Sequence, residues 1–145
     1  MRIAIGSDHA GFHLKEKIKN FLSSEGHDVV DFGANSADRS DYPDYAKKVA
    51  QDVSVGKSQF GILVCGSGFG MCISANRFKN VRAVVLRDVS EAEITRKHND
   101  ANIACLGERT TDLESAEKIV NAFLGTTFEG GRHETRVKKI DQGVT

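Results

Sequence analysis

A cysteine heads a glycine run in Cys65-Gly66-Ser67-Gly68-Phe69-Gly70, directly after the apolar stretch Phe60-Gly61-Ile62-Leu63-Val64. Closely spaced glycines let the backbone fold tightly and gather several amide N–H groups at one point, which makes an anion nest without cationic side chains. A helix predicted from about Phe69 to Arg77 would bring the partial positive charge of its N-terminus to the same place and favour the thiolate of Cys65. A thiolate beside an oxyanion nest is equipment for proton abstraction or acyl chemistry. The same residues also read as a tight strand-to-helix turn over a buried cysteine, so their meaning depends on what else the chain brings there.

Three further stretches carry chemistry. Asp8-His9 sits between Gly6 and Gly11, where the backbone lies open to a ligand; considered alone, such a pair is more often a helix cap beside a solvent histidine. His98-Asn99-Asp100-Ala101-Asn102 places an acid/base group among amides able to bind hydroxyls, or else forms a C-cap and turn. In Gly130-Gly131-Arg132-His133-Glu134-Thr135-Arg136 a helix puts Arg132 and Arg136 one turn apart on one face, where two guanidinium forks can close on one phosphate. A solvated basic helix is the plainer reading of that segment.

Two nucleotide motifs fail. Gly6 to Gly11 has the glycine spacing of a P-loop, but Phe12-His13 stands where a Lys and a Ser or Thr are needed. Gly66-x-Gly68-x-Gly70 lacks the dinucleotide spacing and does not follow the first strand.

The elements that must position these residues are legible in the hydrophobic pattern. Arg2 to Gly6 reads as a buried strand of a parallel sheet. Leu14, Ile18, Phe21 and Leu22 mark an amphipathic helix stopped at Gly26. Val29 to Phe32 predicts a second strand, and Gly33 to Asp41 a polar loop long enough to serve the edge of a site. Pro43 suits the first turn of a helix whose Ala46, Val49, Ala50 and Val53 line one face. Strands follow at 60–65, 82–86 and 102–106. Between the last two, Ser90 and Glu93 have the spacing of a capping box for a helix running to about His98. Ala116, Ile119, Val120, Phe123 and Leu124 mark a long helix ending at Gly125, and a last helix is expected at about 131–140. This alternation predicts one three-layer α/β/α (Rossmann-like) domain over residues 1–145, with a five-stranded parallel sheet. Ligands bind such sheets beyond the carboxyl ends of the strands, here Gly6 to Gly11, Cys65 to Gly70, Arg87-Asp88 and Gly107 to Arg109.

Composition bounds the partners. Twenty basic and twenty acidic residues in 145 leave a formal net charge of zero, which gives no reason to expect nucleic acid or an acidic membrane surface as partner. The three cysteines are odd in number and never in C-x-x-C spacing, so neither a disulfide framework nor a metal site is indicated, and a reducing cytoplasm is expected. No stretch approaches the roughly 18 uninterrupted apolar residues of a membrane span, and the N-terminus becomes polar at Asp8-His9 before a signal-peptide core is built.

Taken together, Asp8-His9-Ala10-Gly11, Asp41-Tyr42-Pro43, Cys65-Gly66-Ser67-Gly68-x-Gly70, His98-Asn99-Asp100-x-Asn102 and Gly130-Gly131-Arg132-His133 resemble the B-type ribose-5-phosphate isomerases, in order and over nearly the whole chain. The wider group includes galactose-6-phosphate isomerase subunits. The resemblance implies an aldose–ketose isomerase that needs no metal or organic cofactor and acts on a phosphorylated sugar. It implies a homodimer or a pair of dimers whose sites join the Cys65 loop of one subunit to the His98-Asn99 segment of the other. By the same likeness Cys65 matches the catalytic base and His98 the ring-opening residue, with Ser67 placed to help move a proton between the two sugar oxygens. Asp8, His9, Gly66, Ser67, Gly68, Phe69, Gly70, Asn99, Arg109, Arg132 and Arg136 match ligand-binding positions, and Tyr42 is expected to contact the sugar. Some relatives draw a glutamate base from the helix after the glycine loop; this chain has Met71 and Cys72 there, which puts it in the cysteine-base group. Two alternatives stand beside this reading. One is an isomerase of a six-carbon sugar phosphate, such as allose 6-phosphate or galactose 6-phosphate; the other is a non-catalytic sugar-phosphate sensor.

Overall fold

A computed structural model of the chain describes residues 1–144. The order of elements is β1 (Arg2–Ser7), a single 3-10 turn (His9–Gly11), α1 (Phe12–Ser24), β2 (Asp28–Asp31), α2 (Tyr42–Ser54), β3 (Phe60–Cys65), α3 (Phe69–Ala75), β4 (Ala83–Val85), α4 (Val89–Asn99), β5 (Ile103–Gly107), α5 (Leu113–Gly125) and α6 (Arg132–Gln142). The five strands form one parallel sheet in the order β2-β1-β3-β5-β4. β2 lies on one side of β1 and the later strands on the other, with β5 inserted between β3 and the edge strand β4, so the strand order reverses between β1 and β3.

Alternation along each strand builds two cores. Ile3, Ile5, Ile62, Val64, Ala104 and Leu106 face α1 and α5, meeting Ile18, Leu22, Ile119 and Phe123. Ala4, Leu63, Cys65, Ile103 and Cys105 face the other way, onto Val49, Ala50 and Val53 of α2 and Met71 and Ala75 of α3. Both faces of the sheet are therefore covered, as a parallel sheet requires, and β3 is buried along its whole length. Truncating a fully buried residue such as Leu63 or Ile62 to Ala would cost about 2–5 kcal/mol.

One buried charge is fully partnered. The Lys15 ammonium, without solvent exposure, donates to both Asp31 carboxylate oxygens at 3.0 Å and to the Ala34 carbonyl at 2.6 Å. This ties α1 to the end of β2 and to the start of the loop that runs to α2.

The elements expected from the sequence are present, and three local details differ. Ser90 and Glu93 do not form the capping box. The cap of α4 is Asp88, whose Oδ1 accepts from the Glu91 N–H at 2.7 Å, while Glu91 accepts from the Arg87 N–H at 2.8 Å and from its guanidinium at 2.7 Å. The helix starts earlier because Asp88, three residues past the end of β4, is extended, so its carboxylate reaches the Glu91 N–H in the first turn. The helix after the glycine loop is shorter than expected, ending at Ala75, and the last helix is longer, running to Gln142.

Candidate active site

The loops after β1, β3 and β5 meet beyond the carboxyl ends of the strands, where the strand order reverses. They enclose a pocket of about 320 Å³ lined by Asp8, His9, Ala10, Tyr42, Cys65, Gly66, Ser67, Gly70 and Arg109. This is the crevice that a doubly wound sheet offers a ligand.

Cys65 ends β3 and is 5% exposed. The Gly68 N–H donates to its Sγ at 3.1 Å, so the glycine loop wraps back over the sulfur. Gly68 has φ +83°, a left-handed conformation that a side chain would strain, and this reversal turns the chain into α3. Ser67 Oγ accepts from the Phe69 N–H at 3.2 Å, which leaves its own O–H free to donate. At Gly70 a methyl group would overlap the Tyr42 ring, so glycine there admits the tyrosine from the start of α2 to the pocket wall.

The third wall is fixed by backbone bonds. The Glu108 N–H donates to the Cys65 carbonyl at 2.9 Å and the Arg109 N–H to the Gly66 carbonyl at 3.1 Å, which sets the Arg109 guanidinium over Gly66. The Glu108 carboxylate also accepts from the Leu14 N–H at 2.6 Å, pinning the start of α1 to the same loop. Nothing in the local pattern of the sequence marks Glu108, because its partners lie far away along the chain.

Asp8 is both things the sequence allowed. Its Oδ1 caps the 3-10 turn by accepting from the Gly11 N–H at 3.1 Å, and the residue lines the pocket, 5% exposed. His9 is held by the polar loop. The Ser40 N–H donates to His9 Nδ1 at 3.2 Å and the His9 N–H donates to Ser40 Oγ at 3.2 Å. His9 Nδ1 also lies 3.1 Å from the Ser40 carbonyl oxygen, so the ring is held by both backbone groups of Ser40.

The remaining candidates gather elsewhere. His98 and Asn99 end α4, and Arg132 and Arg136 stand exposed one turn apart on α6. None of them lines the pocket of Cys65 in the same chain, and neither does the Phe69 side chain, which is 61% exposed. His98 lies against His133, with ring centroids 4.3 Å apart and 12° between the planes. His133 is 6% exposed, its Nε2 lacks a hydrogen-bond partner, and the nearest carboxylate oxygen, of Glu129, is 3.7 Å away. Burial first, then the charges of His98 and Arg132, holds the His133 imidazole below its ordinary pKa. His98, Glu129 and His133 bring ligand atoms within 4.8 Å of one another. Two nearly parallel rings share no in-plane point for one ion, and the guanidinium charges acting on His133 oppose a cation, so the group does not read as a metal centre.

The parallel sheet thus carries a thiol, an amide loop and the Arg109 guanidinium at its switch point, where α/β domains bind ligands. The chain belongs to the Ribose/Galactose Isomerase family, whose pattern matches residues 3–140. It is 47% identical over 139 residues to ribose-5-phosphate isomerase B of Escherichia coli strain K12, covering 96% of this chain and 93% of that one. The crystal structure of a ribose 5-phosphate isomerase from Thermotoga maritima superposes with a TM-score of 0.95 at 50% identity, covering 97% of each chain. Ribose-5-phosphate isomerase B of Mycoplasma genitalium, whose crystal structure contains bound ribulose-5-phosphate, superposes with a TM-score of 0.94 at 40% identity, covering 98% of this chain and 95% of that one. No helix among the described residues is long and apolar enough to cross a membrane.

Proposed function

We propose that this chain interconverts ribose 5-phosphate and ribulose 5-phosphate, with Cys65 as the base that carries the proton between C2 and C1. The observation that carries the reading is the Cys65 sulfur, held under the Gly68 amide in a pocket whose other walls bring Asp8, His9, Tyr42 and Arg109.

Ribose 5-phosphate is mostly a closed ring, and opening it moves a proton from the anomeric hydroxyl to the ring oxygen, work suited to the imidazole of His98 near neutral pH. Cys65 then takes the C2 proton of the open aldehyde. Negative charge develops on the neighbouring oxygens of an enediolate, where loop amides other than those of Gly68 and Phe69, which already donate to Cys65 Sγ and Ser67 Oγ, stabilise it by roughly 3–4 kcal/mol per donor. Ser67, whose O–H is free to donate, passes the O2 proton to O1, and Cys65 returns its proton to C1. His9 and Arg109 grip the phosphate, and Asp8 and Tyr42 bind the sugar.

His98, Asn99, Arg132 and Arg136 act in this scheme from a second copy. Their place at the end of α4 and on α6, outside the pocket of their own chain, supports a homodimer or dimer of dimers with shared sites. Phe69 and Ile73, 61% and 70% exposed on α3 beside the pocket, supply an apolar surface for such a contact. A thiol base belongs in a reducing compartment, and we place the protein in the cytoplasm.

The test is to incubate the protein with ribose 5-phosphate in deuterated water and follow the mixture by NMR. Ribulose 5-phosphate should appear, with deuterium entering at the exchanging carbon. A protein that binds the sugar phosphate without forming the ketose or exchanging that hydrogen would be a sensor.

A further inference from the structure

β1 and β5 share no ladder, because β3 lies between them, yet the segments that follow them carry His9 and Arg109, the two groups that grip the phosphate in the scheme above. Neighbouring strands are about 4.8 Å apart, so these segments leave the sheet about 10 Å from each other. Each is fixed to β3 through backbone. Gly11 lies so close to the end of β3 that a methyl group there would overlap the Val64 carbonyl oxygen. On the other side the Glu108 and Arg109 N–H groups donate to the Cys65 and Gly66 carbonyls, and a Cβ at Gly107 would stand 2.8 Å from the Ser67 carbonyl carbon. Among the described residues a single hydrogen bond joins the two flanking segments directly, that from the Leu14 N–H to Glu108 Oε1 at 2.6 Å.

That bond occupies a place which α1 leaves open. A helix has free N–H groups in its first turn, and a side-chain oxygen at the N-cap usually takes one of them. Here the N-cap is Gly11, which has no side chain to offer, and the first turn of this 13-residue helix contains no acid. Glu108 supplies the missing acceptor and a negative charge at the positive helix end, from 94 positions away along the chain. It is absent from the pocket lining, so its carboxylate serves the helix and not the ligand. His9 is coupled to the same helix end, because the Phe12 N–H donates to the His9 carbonyl.

We propose that Glu108 is a positioning residue for phosphate binding: by capping α1 from the far side of β3, it sets the span between His9 and Arg109. The two sides that meet β3 rest on backbone, and this third side rests on one side chain, so a change at Glu108 alters the span while leaving the Cys65 loop in place. The span depends on reach. Loss of one methylene draws the acceptor back by about 1.5 Å, the length of a C–C bond. An amide oxygen at the original distance still accepts from the Leu14 N–H. The identity of the bound sugar phosphate rests on the function proposed above.

The test compares Glu108→Gln, Glu108→Asp and Glu108→Ala in the full chain, by turnover of ribose 5-phosphate and by competitive inhibition with inorganic phosphate. The first variant keeps the reach and loses the charge; the second keeps the charge and loses the reach. Glu108→Gln should hold KM and the phosphate inhibition constant near wild type. Glu108→Asp and Glu108→Ala should raise both about tenfold, the order of one weakened hydrogen bond to a charged group, with kcat changed much less. A rise in Glu108→Gln as large as in Glu108→Asp would overturn the span in favour of charge. Wild-type constants in all three, with only the urea midpoint lowered, would leave Glu108 a helix cap and nothing more. A fall confined to kcat would overturn the proposal too. Glu108→Gln and Glu108→Asp decide the matter even where Glu108→Ala does not fold. The wild-type rate reports separately on the function itself. Without turnover, calorimetric titration of the same variants with ribose 5-phosphate reads the span, and equal affinities in Glu108→Gln and Glu108→Asp would overturn it.

Discussion

The His98 ring lies flat on the ring of His133, 4.3 Å between centroids and 12° between planes, so the side chain assigned to ring opening rests on a second, buried imidazole. α4 and α6 meet through this stack, and the Glu129 N–H bonds the Lys97 carbonyl beside it. Burial of His133 and the charges of His98, Arg132 and Arg136 oppose its protonation, and only Glu129 favours it.

A folded-state pKa below the ordinary histidine value means that the unfolded chain takes up the proton first as pH falls. His133 therefore costs no stability above about pH 6.5 and progressively more below it. The urea midpoint should fall between neutral pH and about pH 5. The fall should be smaller in His133→Phe, which keeps an aromatic ring under His98 without a titrating group. The same fall in both proteins would assign the acid sensitivity to other groups.

Cys65→Ala should fold with an unchanged circular dichroism spectrum, bind substrate and lose turnover by about a hundred- to ten-thousandfold, the usual contribution of a positioned base. His98→Asn should fail on ribose 5-phosphate yet still exchange the C2 proton of an analogue that cannot close into a ring. Equal losses on both substrates would move His98 out of the ring-opening role.

Shared sites predict rescue between dead proteins. Cys65→Ala and His98→Asn chains, unfolded, mixed equally and refolded, form mixed dimers in about half of the population. In a mixed dimer one site carries both defects and the other neither, so activity should return to about a quarter of wild type. Mixed dimers that form and stay inactive would place each site within one chain.

Gly70→Ala pushes a methyl group into the Tyr42 ring. Overpacking of this kind costs about 1–3 kcal/mol, and the displaced tyrosine should lower kcat/KM as well. Adding Tyr42→Ala removes the overlap, so thermal unfolding of the double variant should show positive coupling between the sites. Strict additivity of the two single changes would mean that the ring moves aside freely.

Much of this protein is set by local pattern. Buried runs such as 60–65 become strands because unbroken apolar stretches of that length suit a two-sided sheet. The stripes Ala46-Val49-Ala50-Val53 and Ile119-Val120-Phe123 become helices because their period puts one face on that sheet. The Cys65 loop is legible for the same reason, since tight turns and amide nests depend on residues next to one another. What the tertiary structure decided involves groups far apart along the chain, whose meeting no periodicity encodes. Ser40 reaches His9 across 31 positions, Glu108 pins Leu14 across 94, and Tyr42 finds Gly70 because α2 packs beside α3. The fold likewise keeps His98, Arg132 and Arg136 away from the Cys65 thiol of their own chain, because α4 and α6 pack together away from the switch point between β1 and β3.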